Sequence, residues 1–104
     1  MFIARVRGNV VTTQKVIKMT GRKLLLIEPL RVDDNGRKMN PTGRCFVAVD
    51  SIGAGTDDLV LVTQGSSARM TETTSDAPID AVVVGIIDTV SVLGGLIYRK
   101  GQDD

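Results

Sequence analysis

The groups that could do chemistry in this chain are few, and their spacing argues against catalysis. There is no histidine, so serine triads, cysteine–histidine dyads and the common zinc sites are excluded. The one cysteine, Cys45 in the run CFVAV, has no imidazole to activate it and is expected to be a small buried hydrophobe. Gly53-Ala54-Gly55-Thr56-Asp57-Asp58 lacks the third glycine of a dinucleotide loop and runs into a strand where a helix is required. Asp33-Asp34-Asn35-Gly36 has the look of a calcium loop, but Arg31 stands at the first ligand position and Thr42 at the last. Asp57 and Asp58 are adjacent, so an extended segment points them to opposite faces, and they read as solvated turn carboxylates. No catalytic residue, cofactor or metal ligand is expected, and an enzyme is not.

Nucleic-acid binding is the alternative function. Arg5 and Arg7 line one side of the first strand and could begin a basic groove. Single-strand binding also needs aromatic platforms, and only Phe2, Phe46 and Tyr98 are aromatic, with Phe2 assigned to the core. Acidic and basic residues nearly cancel, at a net charge of +1, which gives no general attraction to nucleic acid or membrane.

The elements behind these groups are short and extended. With 104 residues, one domain spanning 1–104 is expected. A domain this small buries only about two-thirds of its unfolded surface, so self-association would help it. No stretch approaches the roughly 20 apolar residues of a membrane helix, and no targeting segment is recognised. A single cysteine suits a reducing compartment, so a soluble, cytoplasmic protein is expected.

From Phe2 to Val10 the even positions are apolar or small and Arg5, Arg7 and Asn9 are polar, the period of a half-buried strand. KLLLIEPL at 23–30 is a second strand, buried on both faces or covered by a neighbour, with pairing limited near Pro29. Residues 31–43 form a turn region in which Asp34-Asn35-Gly36 tolerates positive φ. Arg44–Asp50 and Leu59–Gln64 are strands three and four. Ser66–Glu72 could hold one helical turn capped by Ser66 or Ser67. The fifth and longest strand is Asp80–Val92, whose stiff β-branched side chains fit a covered, pleated surface. Leu96–Tyr98 is a short last strand, and residues 100–104 are a frayed tail. The fold class is mainly β, a small five-stranded OB-like barrel with one short helix.

FIARVRGNVV at 2–11, KLLLIEPL at 23–30, AVDSIGAGTDDLVLVTQGSSAR at 48–69 and PIDAVVVGIIDTV at 78–90 together resemble the vertex proteins of bacterial microcompartments, the EutN/CcmL family. The resemblance spans nearly the whole chain, and its specificity lies in GAG, GSSAR and the Ile87-Asp88 pair occurring together. It departs in the long loop at 31–44 and in the tail after Val92. It implies an OB-like barrel that assembles as a homopentamer and caps the corners of a polyhedral shell, with hexameric and also trimeric shell proteins as partners.

The resemblance also nominates residues. Ser66, Ser67, Ala68, Arg69 and Asp88 are the expected subunit interface. Arg69 is a solvated arginine on composition alone; in the family motif its planar fork could bridge to Asp88 of a neighbour. Ser66 and Ser67 read as cap and turn residues. Ser51, Ile52, Gly53, Ala54, Gly55 and Thr56 are a glycine-dependent turn, and five copies of it could line a narrow pore.

Overall fold

The structure, a computed structural model, describes residues 1–13, 22–65 and 80–102. Eight strands run in the order β1 (Phe2–Val10), β2 (Lys23–Val32), β3 (Met39–Pro41), β4 (Phe46–Asp50), β5 (Leu59–Gln64), β6 (Ala81–Ile86), β7 (Thr89–Val92) and β8 (Gly95–Arg99). Five of them close on themselves as β1-β5-β6-β4-β2-β1. Every pairing in that ring is antiparallel except β4–β6. This is the Greek-key order of an OB-type barrel, and closure removes the sheet edges that would otherwise template aggregation.

Side-chain alternation decides what fills the cylinder. Ala4 and Val6 on β1, Leu25 and Ile27 on β2, and Val60 and Val62 on β5 are buried together. Arg5 and Arg7 occupy the intervening positions of β1. The alternation expected as far as Val10 holds to Val6 and then switches face, because Arg7 is an extra residue at a register shift that sets Gly8 opposite Leu26 and Asn9 opposite Leu25.

Three sequence expectations are corrected. The strand expected over 80–92 is two strands in different sheets: β6 ends at Ile86, the Ile87 N–H makes its bond to the Leu59 carbonyl at 2.8 Å, and β7 then pairs only with β8. An apolar run carries no mark of where its partner changes. Residues 31–43 are more than a turn, because β2 continues through Pro29 to Val32 and pairs with β3. Proline lacks an N–H, but its carbonyl is still an acceptor, and Thr42 donates to it through both its N–H (3.2 Å) and its hydroxyl (2.8 Å). Cys45 is exposed rather than buried, because it precedes β4 and stands outside the ladder.

The turn inside that hairpin is as the residues require. Gly36 has φ +66 and donates to the Asp33 carbonyl. The helical turn expected at 66–72 lies outside the described residues, and among those described there is no α-helix. In the tail expected to fray, Lys100 donates to the Asp88 carbonyl and Gln102 to that of Arg99, so 100–102 form a turn; residues 103–104 lie outside the description.

β2–β3 and β7–β8 leave the barrel as two hairpins that touch. A Cβ built on Gly36 would come within 2.7 Å of Val92 Cγ1, so this glycine is needed for close approach as well as for its φ. With these hairpins added, the molecule measures 45 × 24 × 22 Å.

Candidate functional site

Two surfaces stand out once the strands are placed. The first is the outer wall of β2, β4 and β6. Residues directly opposite in a ladder share a face. Leu25 pairs with Ala48 inside the barrel, so Leu24 with Val49 and Leu26 with Val47 lie on its outside. Val49 pairs with Val82 on β6, which puts Val82 and Val84 on that outer face too. These three strands are therefore apolar on both faces. Val49 and Val82 are covered, whereas Val47 (47%) and Val84 (38%) remain exposed; Phe46, exposed at 46%, pairs with the inward Ile27 and so belongs to the other face. Exposed aliphatic side chains on one wall are available for a protein contact. The sequence expectation that the 23–30 run is buried on both faces or covered by a neighbour is met inside the barrel, while the outer wall it shares with β4 and β6 stays partly exposed.

The second surface is the loop after β4. Asp50 ends that strand with its side chain fully buried. Its Oδ1 accepts the Ile52 N–H at 2.9 Å and its Oδ2 the Ala54 N–H at 2.7 Å. Lys23, the register partner of Asp50 on β2, donates from Nζ to the Ala54 carbonyl at 2.8 Å and lies 3.9 Å from Asp50 Oδ2. Asp58 repeats the device, accepting the Gly55 N–H at 2.8 Å, and Lys100 approaches its other oxygen at 3.9 Å. Ala54 is buried as part of the core, while Ser51, Ile52 and Gly53 (φ +91) form the exposed tip. Thr56 and Asp57 are exposed as well, and β1 grips the loop through Val6, whose N–H and carbonyl bond Asp58 O and Asp57 N. Asp57 and Asp58 are turn carboxylates as expected, but Asp58 works for the loop.

Of the residues nominated for the interface, Ser66, Ser67, Ala68 and Arg69 lie outside the described residues. Asp88 is exposed at the exit from β6; the Lys100 N–H bonds its carbonyl. Lys23 and Asp50 were not singled out from the sequence. The one signal was two opposite charges flanking apolar runs, and only the β2–β4 register makes them a pair.

The basic residues of β1 are engaged within the chain. Arg5 Nη1 donates to the Asp57 carbonyl at 2.9 Å. Arg7 Nε pairs with Glu28 Oε1 at 2.8 Å, and the Gly43 N–H bonds Glu28 Oε2 at 2.7 Å. The Arg7 hydrogen bond, followed by that from Gly43, holds the Glu28 carboxyl below the usual glutamate range. Asp33 is lowered likewise, chiefly by the Arg37 N–H. Tyr98 is buried and Phe2 packs on the core, which leaves Phe46 as the exposed aromatic, with the Arg44 guanidinium 6.0 Å above its ring. That is no stacking platform for bases. Among the described residues no three Cys, Asp or Glu side chains gather as metal ligands.

The geometry is that of a small OB-type barrel with an apolar outer wall and a self-braced loop. The family model described as ethanolamine utilisation protein EutN/carboxysome matches residues 1–88, and the chain belongs to this EutN/CcmL family. It is 48% identical over 103 residues to the carboxysome shell vertex protein CcmL of Synechocystis sp., covering 99% of this chain and 98% of that protein. The solved structure of Gloeobacter violaceus CcmL superposes with a TM-score of 0.85 at 46% identity, over 96% of this chain and 98% of the other. A pentameric microcompartment shell protein from Rhodospirillum rubrum, GrpN, superposes at 0.74 with 40% identity, over 89% and 99%.

Proposed function

We propose that this chain, acting as one domain over 1–104, is a structural vertex protein of a bacterial microcompartment shell. It forms a homopentamer that fills the corners of a polyhedral shell in the cytoplasm and closes it. The observation that carries this is the similarity over nearly full length to proteins named for that role. The exposed outer wall of β2, β4 and β6 supports it as the surface that a neighbouring copy covers. The role is geometric and not catalytic. Hexagonal tiles make flat facets, and closing them into a polyhedron requires pentagons.

Closing a five-membered ring needs a heterologous contact, one patch against a different patch on the next copy. We assign the apolar wall to one side of that contact. To the same interface we assign Arg69, with Asp88 of the adjacent copy, exposed at the exit from β6, as the carboxylate its planar fork would meet. The loop Ser51–Thr56 approaches the ring axis, where its small residues allow close packing of backbones. The outer partners are hexameric shell proteins of the facets, with trimeric ones as a further class.

Native mass measurement tests the ring, with a pentamer expected at micromolar concentration. A monomer or dimer overturns the reading. Cells that make the facet proteins without this chain should form elongated or open particles, and adding it back should restore closed polyhedra. Sealed shells in its absence, with no paralogue present, would sink the vertex role.

A further inference from the structure

We propose that Asp50 and Lys23 are positioning residues that hold Ser51–Gly55 as a fixed, charge-balanced lip, and that five such lips bound a pore on the ring axis that does not concentrate anions. The inference rests on the vertex reading and adds to it what shapes the aperture and what the aperture selects.

Three amides of this glycine-rich loop are bonded to carboxylates of the chain itself. Asp50 takes the N–H groups on either side of Gly53, those of Ile52 and Ala54. Its carboxylate is fully buried, so it has no water to fall back on. Leaving a buried carboxylate without its donors is heavily penalised, and the loop therefore opens only if the whole arrangement comes apart. Lys23 reaches across from β2 to hold the Ala54 carbonyl, so the loop is tied from two strands. Ala54 itself is packed into the core.

Selectivity follows from where the amides point. Backbone N–H groups in a turn are the atoms with which a loop binds anions. Here the N–H groups of Ile52 and Ala54 are turned to Asp50, and that of Gly55 to Asp58. A ring of these lips presents none of those donors to its axis. The negative charge of Asp50 lies beside the positive charge of Lys23 at 3.9 Å, so the pair adds no net charge to the ring. An anion at the axis gains nothing from those three amides. Asp50→Asn removes the balancing charge, leaves that of Lys23, and releases one amide, which should make the lip attract anions.

Hydrogen exchange by mass spectrometry on the intact ring tests the bracing. In Asp50→Asn, peptides covering 51–55 should exchange about a hundredfold faster, the scale of one lost hydrogen bond to a charged group, with β1 and β5 unchanged. Lys23→Gln, at a half-exposed side chain, should give a smaller rise in the same peptides and serves if the first variant fails to fold. A lip as protected as in the parent, or strands that all loosen together, overturns the positioning role.

Ion selectivity of rings in a planar bilayer under a salt gradient tests the aperture. The parent should show no preference for anions, and Asp50→Asn a several-fold shift toward them. Rings that do not conduct, or a parent that already prefers anions, overturn the aperture while a pentamer by native mass leaves the vertex role standing. A parent that is not pentameric overturns that role itself.

Discussion

The barrel and the two hairpins that leave it are built from similar residues, yet they are held by different forces. In the barrel, β2, β4 and β6 turn Leu25, Ile27, Ala48 and Val83 inward to a shared core. In the hairpins there is little interior to share. β2–β3 and β7–β8 meet where Gly36 admits Val92, and Leu93 at the tip of the second is 94% exposed. Leu93 also has φ +51, a left-handed backbone that leucine rarely adopts. The difference teaches that burial organises the cylinder, whereas turn geometry and one close approach organise the projection. The outer wall of the barrel falls between them, apolar like the core and exposed like the hairpins.

The largest effect should come from the core. Ile27→Ala leaves a cavity in the barrel, and a loss of about 2–5 kcal/mol is expected in denaturant unfolding. Val47→Asp, one strand away but on the outer wall, should leave the barrel's circular dichroism unchanged while the ring dissociates in native mass measurement. An aspartate buried unpaired in a contact costs several kcal/mol. If both variants lose the fold, the wall is merely outer core and the contrast between the two faces fails.

In the hairpins, Gly36→Ala should destabilise by about 1–2 kcal/mol through the left-handed backbone alone, and the Val92 contact adds to it. Thermal melting measures the loss, and amide exchange should confine it to β2–β3 and β7–β8. Uniform loosening of the barrel would show that the hairpins are not a separate layer of stability.

The junction of the two regions should titrate. Glu28 sits on β2 just before it leaves the barrel and has a depressed carboxyl pKa, because Arg7 and then the Gly43 N–H favour the charged form. A depressed folded value stabilises above the unfolded glutamate pKa of about 4.3 and loses that contribution as pH falls through it to the folded value. The melting temperature should therefore fall in acid, and the gap between the parent and Glu28→Gln should narrow as it does. A gap constant from pH 7 to strongly acid solution would remove Glu28 from the account.

The smallest effect should run the other way. Leu93→Asn relieves the left-handed leucine without removing a buried contact, and melting should rise slightly, by well under the cost of Gly36→Ala. A large loss of stability there would mean that Leu93 is packed against something in the assembled ring.

Much of this was legible in the order of residues. Alternation from Phe2 to Val10 depends only on neighbours two apart, so it foretold β1 and its inward Ala4 and Val6. The Asp34-Asn35-Gly36 turn was legible because a positive φ restricts residue type locally. The motifs GAG, GSSAR and Ile87-Asp88 identified the family without any structure, and the absence of histidine removed most catalysis.

What tertiary structure alone decided depends on partners distant in sequence. The run 80–92 reads as one strand because apolar β-branched residues look alike whichever strand they pair with, and only the Ile87–Leu59 bond marks where the barrel lets go. Pro29 looked like an end because its missing N–H is a local fact, while Thr42, which satisfies its carbonyl, is 13 residues away. Lys23 and Asp50 are separated by β3 and a turn, and nothing local couples them. The β2–β4 register sets them side by side, because ladder pairing turns a separation along the chain into contact across a sheet.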